Sequence, residues 1–245
     1  MRSSLLAALL AVGTVAGASA ESPLVAELSR VSVSYHKDPA RLDTLRDALE
    51  RTAAADPRVE HLMALAEVSF IWADVRAQTR AEKLQAYDRG RNAARLAMDA
   101  EPRNVGARFW FATNTARWGQ TNGLMRSLFL LPDVKREVRA ILDLDSGYTP
   151  VYVLAGNVYY EVPGLLGGDL AKAEEMFRAG LAQDPRFTGL RVGLGKTLIK
   201  RRRLDEARRE LTAVLEETAP RNPATWAVKD APEARGLLEK LRTRS

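Results

Sequence analysis

One helix ending recurs four times along this chain, and it limits the possible folds more than any other feature. ARLAMDAEPRN (94–104), VRAILDLDSGY (138–148), FRAGLAQDPRF (177–187) and LTAVLEETAPR (211–221) each run through alternating apolar and small positions into a stop. Three of the stops carry Pro102, Pro185 or Pro220, and the other carries Ser146-Gly147. Proline lacks the backbone donor and clashes with the preceding turn, so one helix ends there and the next begins a few residues on. Upstream of each ending lies another helix-length segment, at 59–75, 105–118, 149–162 and 188–201, with Ala66, Ala112, Gly156 and Gly195 in equivalent places. The partner helices carry Gly90, Ala173 and Ala207, and Val134 breaks the rule in the second unit. Small residues so placed let two helices approach closely. Aromatic or branched neighbours three or four positions away then wedge between them.

This pattern resembles the tetratricopeptide repeat, a 34-residue helix pair with small residues near positions 8, 20 and 27 and proline near 32. Gly195 and Ala207 are twelve positions apart, as that spacing requires, whereas the first three units are longer by about 12, 10 and 5 residues. The expected architecture is all-α: a tetratricopeptide-like helical-repeat solenoid with extended inter-helix insertions. Its four pairs fall at 59–104, 105–148, 149–187 and 188–221. A capping segment at 21–58, with a helix near 39–51, and a capping helix within 222–245 alternate leucine with charge, as the ends of a solenoid should.

The first twenty residues, MRSSLLAALLAVGTVAGASA, place Arg2 before a short apolar run and close on Ala18-Ser19-Ala20. That is the pattern of a cleaved secretory signal, with the mature chain expected to begin at Glu21. The chain has no cysteine, so a lipid-modified N-terminal cysteine, disulfides and thiolate metal sites are all excluded. The periplasm is the expected location. The net charge of +6 concentrates in LIKRRRLDEARRE (198–210). Arg201, Arg202 and Arg203 offer cations to phosphates, an envelope polymer or an anionic lipid surface, although a solvated inter-helix turn is the simpler reading. No aromatics interleave with this run to stack on bases, which disfavours nucleic acid as a partner.

The search for catalytic residues is nearly empty. His36 and His61 are the only histidines, neither lies in an HExxH motif, and no nucleophile stands at a useful spacing from a base. A non-enzymatic protein without cofactor or metal is expected. The insertions are more informative. GQTNGLMRSLFLLPD (119–133) is too apolar for a free loop and must cover a core, close a pocket or form an interface. VPGLLGGD (162–169) places Gly167 and Gly168 where a tight turn is needed, and Asp169 where it can cap the next helix.

FWFATNTARWGQTNGLMRSLFLLPDV (109–134), NVYYEVPGLLGGDLAKAEEMFRAGLAQDP (157–185) and NPATWAVKDAPEARGLLEKL (222–241) together resemble the T-component family of tripartite ATP-independent periplasmic (TRAP) transporters and its tetratricopeptide relatives. The resemblance implies a periplasmic helical protein with an apolar cleft, associating with a solute-binding or transporter component, sometimes oligomeric, and able to hold a small hydrophobic ligand. It also places first helices on the concave face. Carried onto this sequence, the cleft contacts are Phe109, Trp110, Asn114, Arg117, Trp118, Arg126, Asn157 and Tyr160, with Lys196 and Lys200 at a basic end. Arg117 or Arg126 beside aromatics would suit an amphipathic carboxylate. Trp226 reads as packing for the C-terminal cap. The defining family member is lipid-anchored, and this chain lacks the cysteine for that.

Overall fold

The structure, a computed structural model, describes residues 22–243, so the segment 1–20, expected from its sequence to be a signal, lies outside the described residues. Helices α1 (Pro23–Val31) and α2 (Arg41–Ala55) precede four pairs. These are α3 (Val59–Val75) with α4 (Arg80–Ala100), α5 (Val105–Asn122) with α6 (Leu124–Leu144), α7 (Pro150–Glu161) with α8 (Leu170–Gln183), and α9 (Thr188–Lys200) with α10 (Leu204–Glu216). One turn, α11 (Pro223–Thr225), leads through a π-turn (Trp226–Asp230) into α12 (Ala231–Arg242). Pro232 would press its ring on the carbonyl four residues back, and the widened turn at Trp226–Asp230 makes room for it. The fold is a tetratricopeptide-like helical-repeat solenoid, and no strand occurs among the described residues.

Local chemistry sets the helix starts. Thr79 and Glu82 form a reciprocal capping box on α4. Asn104 accepts from the Ala107 N–H at 3.0 Å, and Asp169 accepts from Ala171 and Lys172 at 2.8 and 3.1 Å. First helices touch one another in series, α3 to α5 to α7 to α9, whereas second helices meet the helices before and after them in the chain. The first helices therefore form the inner layer of a curved stack. Ala66, Ala112, Ala173 and Ala207 are fully buried between paired helices. A Cβ on Gly156 or on Gly193 would overlap the ring of Phe177, so that phenylalanine is sandwiched between α7 and α9. Gly195 faces Leu211 in the same manner, across α9 and α10.

The first two insertions are not loops. α5 and α6 have 18 and 21 residues against 13 each in α9 and α10, so the extra residues continue the helices. At 1.5 Å per residue, α6 reaches about 31 Å and overhangs the shorter neighbouring pair by about a third of its length. Gly123 alone joins α5 to α6, at φ 116°, a conformation open to glycine and strained for other residues. In the third unit Gly164–Leu166 form a 3₁₀ turn closed by Gly167 at φ 92°, and a Cβ on Gly168 would collide with the Val162 carbonyl.

The ends of the array meet. Asn222 donates from Nδ2 to the Ser32 carbonyl at 3.1 Å, and the Tyr35 and Thr225 hydroxyls are 3.1 Å apart. Ala224 is buried in the apolar cluster built by Leu28, Val31 and Tyr35. Contacts 190 residues apart in the chain thus tie the N-terminal cap to the C-terminal one.

Candidate interaction site

The sequence-predicted contacts do not form one cleft. Phe109 and Trp110, half-buried on α5, belong to an aromatic row. Trp110 lies 5.7 Å from Phe70 and 5.1 Å from Phe109, and Phe109 meets Tyr148 edge-on at 5.5 Å. Asn114 is fully buried and closed to a ligand. Its Nδ2 donates to the Ala66 and Trp110 carbonyls at 3.2 and 2.9 Å, and its side chain fills the space that Gly90 leaves open. That Gly90 is small because Asn114 needs its place is not legible from the α3–α4 pairing alone.

The charged candidates are engaged with the protein itself. Arg117 donates to Asp74 at 2.8 Å, and Tyr87 donates to the same carboxylate. Burial alone would depress the Arg117 guanidinium, yet the Asp74 charge beside it holds its pKa above the ordinary value. Trp118 is stacked by Arg91 and Arg126, at 4.7 and 5.7 Å from the ring centroid. Tyr160 carries the Lys200 ammonium 3.6 Å over its ring, while Lys196 pairs with Glu233 at 2.9 Å. Arg201 and Arg203 both bind Glu174, which neutralises much of the basic run expected at 198–210. The carboxylate-clamp expectation is therefore corrected for Arg117. Arg117 already holds an acid, and Arg126 lies over Trp118 and Phe129.

An open pocket of about 260 Å³ does exist, at the seam where the long α5–α6 pair meets the shorter α7–α8 pair. Leu128, Leu130 and Leu131 from α6, with Leu154 and Val158 from α7, make its apolar wall. Gln120, Asn157 and Glu161 supply the polar lining, and Gln120 donates to the Glu161 carboxylate. Of the predicted contacts only Asn157 lines it. Leu124, Leu128 and Leu131 recur at helical spacing, a signal that locates this wall once 119–133 is taken as helix rather than insertion. Beside the pocket Leu124, Met125 and Phe129 are 64%, 80% and 72% exposed, and Leu165 on the 3₁₀ turn is wholly exposed.

Sequence reasoning also passes over the role of Glu67. This α3 carboxyl, half-buried, lies against the end of α1, where the Ser32 hydroxyl bonds it. Burial pushes its pKa up to about 7, which the Ser32 bond only partly opposes. Tyr148 is raised to about 12, first by burial and then by the charge of Glu67. Asp230 is likewise buried and raised, although Thr188 donates to it at 2.7 Å. His61 is buried, with Nδ1 2.9 Å from the Asp56 carbonyl, and is structural. Among the described residues no group of three or more His, Cys, Asp or Glu could hold a metal ion.

A family model described as tetratricopeptide repeat matches residues 165–241. No curated protein sequence matches the chain. A thermophilic TPR protein of Thermus thermophilus superimposes with a TM-score of 0.65 at 19% identity, over 89% of this chain and 99% of that one. PilF of Pseudomonas aeruginosa gives 0.53 at 14% identity, over 90% of each chain. At these identities the likeness is one of fold.

Proposed function

We propose that this chain is an exported, non-enzymatic scaffold that docks a partner polypeptide at the seam between its second and third helix pairs. The observation carrying this reading is the open apolar pocket there, bordered by exposed Leu124, Met125 and Phe129. Small-molecule sites usually measure about 300–1,000 Å³ and enclose most of their ligand. A mouth of about 260 Å³ better fits one or two apolar side chains of a partner helix or strand. Export rests on the N-terminal signal pattern, and the partner is accordingly periplasmic. The TRAP T-component resemblance makes a solute-binding or transporter component the class of partner to look for first.

A second reading, an accessory protein holding a small hydrophobic ligand, draws on the same apolar wall. The polar lining favours a neutral head over a carboxylate, because Glu161 is itself an acid and no cation among the described residues lines the pocket. A photo-crosslinking side chain at Leu124, with the same group at Arg209 on α10 as control, tests the docking reading. A discrete adduct in the periplasmic fraction at 124 alone, abolished when Asn157→Trp fills the pocket, is the expected result. Equal labelling at both sites would sink it. Native mass spectrometry showing a co-purified mass of a small molecule, displaced by the same Asn157→Trp change, would replace it with the ligand reading.

A further inference from the structure

The contact that joins the two ends of the array has an acid on each side of it. Ser32 belongs to both sides. Its carbonyl accepts from Asn222 Nδ2 at 3.1 Å, and its hydroxyl bonds the carboxyl of Glu67 on α3. Three residues on, Tyr35 is buried with its hydroxyl 3.1 Å from that of Thr225. Asp230, at the end of the π-turn, is buried on the C-terminal side. Its charge acts on the Tyr35 hydroxyl, as does that of Asp74.

Asp43, Asp74, Glu174 and Asp184 each hold an arginine, but among the described residues no ion pair reaches Glu67 or Asp230. Glu67 faces the Ser32 hydroxyl at the end of α1 and the Tyr148 hydroxyl before α7. Arg221, which also acts on Tyr148, is engaged by Asp184 at 2.8 Å, and Glu27 on α1 by Arg41 at 2.8 Å. Asp230 is bonded by Thr188, while Lys229 and Glu233 act on it with opposite signs. A carboxylate at position 67 therefore keeps one hydrogen bond and little water, and it gains hydration when the end of α1 moves off it. That cover is light. α1 has nine residues and packs on α2 and α3, and two hydrogen bonds with buried Ala224 join its end to the 222–225 turn. Each such bond adds little net stability, so one ionisation is enough to tip the contact.

We propose that this contact is a latch worked by pH: it closes the array while Glu67 carries a proton and opens when the proton leaves, uncovering the inner layer of first helices. The aromatic row of that layer ends at the latch, because Tyr148 meets Phe109 at 5.5 Å and faces Glu67. The inference is independent of the docking pocket, whose lining includes neither Glu67 nor any residue of the two ends. In the closed array Glu67 titrates at about 7, and once uncovered it returns toward its ordinary 4.5. The closed form binds the proton more tightly, so its advantage is complete below about pH 4.5 and gone above about pH 7. Across that range the closed-to-open ratio falls by up to about 300-fold, at about tenfold per pH unit.

The chain has no cysteine, so two spin labels can be placed without background. Val33→Cys and Val228→Cys put them at exposed positions on the two sides of the contact. The distance between the labels is measured in the purified protein at pH 5 and pH 8. One short distance is expected at pH 5, with a second, longer population at pH 8. Glu67→Gln, which keeps the shape and removes the charge, should hold the short distance at both pH values. Asn222→Ala with Tyr35→Phe should show the long population already at pH 5. The same distances at both pH values, opening that persists in Glu67→Gln, or opening lost only in Asp230→Asn would overturn the proposal. So would a loss of helical circular dichroism in step with the long distance, since that reports unfolding and not a latch.

Discussion

Replacing Glu67 by Gln should stabilise the protein at pH 8 and change it little at pH 5. In the folded chain burial lifts this carboxyl from 4.5 to about 7, while in the unfolded chain it titrates near its ordinary value. Between those pH values the native state holds a proton that the unfolded chain has released, so stability falls as pH rises through the window. The relative gain from the protonated form is complete below about pH 4.5 and gone above about pH 7. At 1.36 kcal/mol per unit, the full shift corresponds to roughly 3 kcal/mol. Water reaches this half-buried group, so a gain of about 1–2 kcal/mol is expected for the variant at pH 8. In a domain of this size that raises Tm by about 2–8 °C. Urea unfolding of both proteins at several pH values between 5 and 8 measures it, and the difference between the two curves isolates Glu67 from the other carboxyls. As a second readout, the Tyr148 hydroxyl should titrate lower in the variant, because the Glu67 charge contributes to raising it. A difference that is flat across this range, or a variant less stable at pH 8, would refute the reasoning.

Three further perturbations probe the frame. Phe177→Ala empties the space between Gly156 and Gly193 and should cost about 3–5 kcal/mol in urea unfolding; a cost under 1 kcal/mol would mean that the pairs collapse freely. Gly168→Ala sets a methyl against the Val162 carbonyl, so limited proteolysis should cut faster within 162–169, and an unchanged digest would contradict the close approach. Asn222→Ala with Tyr35→Phe removes both hydrogen bonds between the ends. Amide exchange in α1 should then quicken while α9 stays protected, and an unaltered α1 would show that closure adds nothing.

The pairing of helices is legible in the sequence because it is local. Proline and glycine end a helix within one turn, and the small residues at 66, 112, 156 and 195 mark where a partner must come close. Asp169 is readable as a cap for the same reason, since the donors it serves are two and three residues away. The candidate site is much less legible. Arg117 looks free in the sequence because its partner Asp74 is 43 residues away, and Asn114 looks like a ligand contact because its carbonyl partner at Ala66 is 48 residues away. The stretch 119–133 reads as an insertion because a repeat consensus counts residues and does not record whether the excess stays helical.

Taken alone, the order of residues specifies the unit of this protein, an apolar helix pair with small residues at its contacts, and hence the all-α class. Periodicity and breakers act over a few residues, and no distant contact is needed to impose them. Three outcomes came instead from tertiary packing: which charged groups are consumed internally, where the overhang of α5 and α6 opens a pocket, and that Ser32 and Tyr35 meet Asn222 and Thr225. Those outcomes depend on how successive pairs of unequal length stack and curve. Small rotations accumulate along the array until residues 190 positions apart lie within hydrogen-bonding distance.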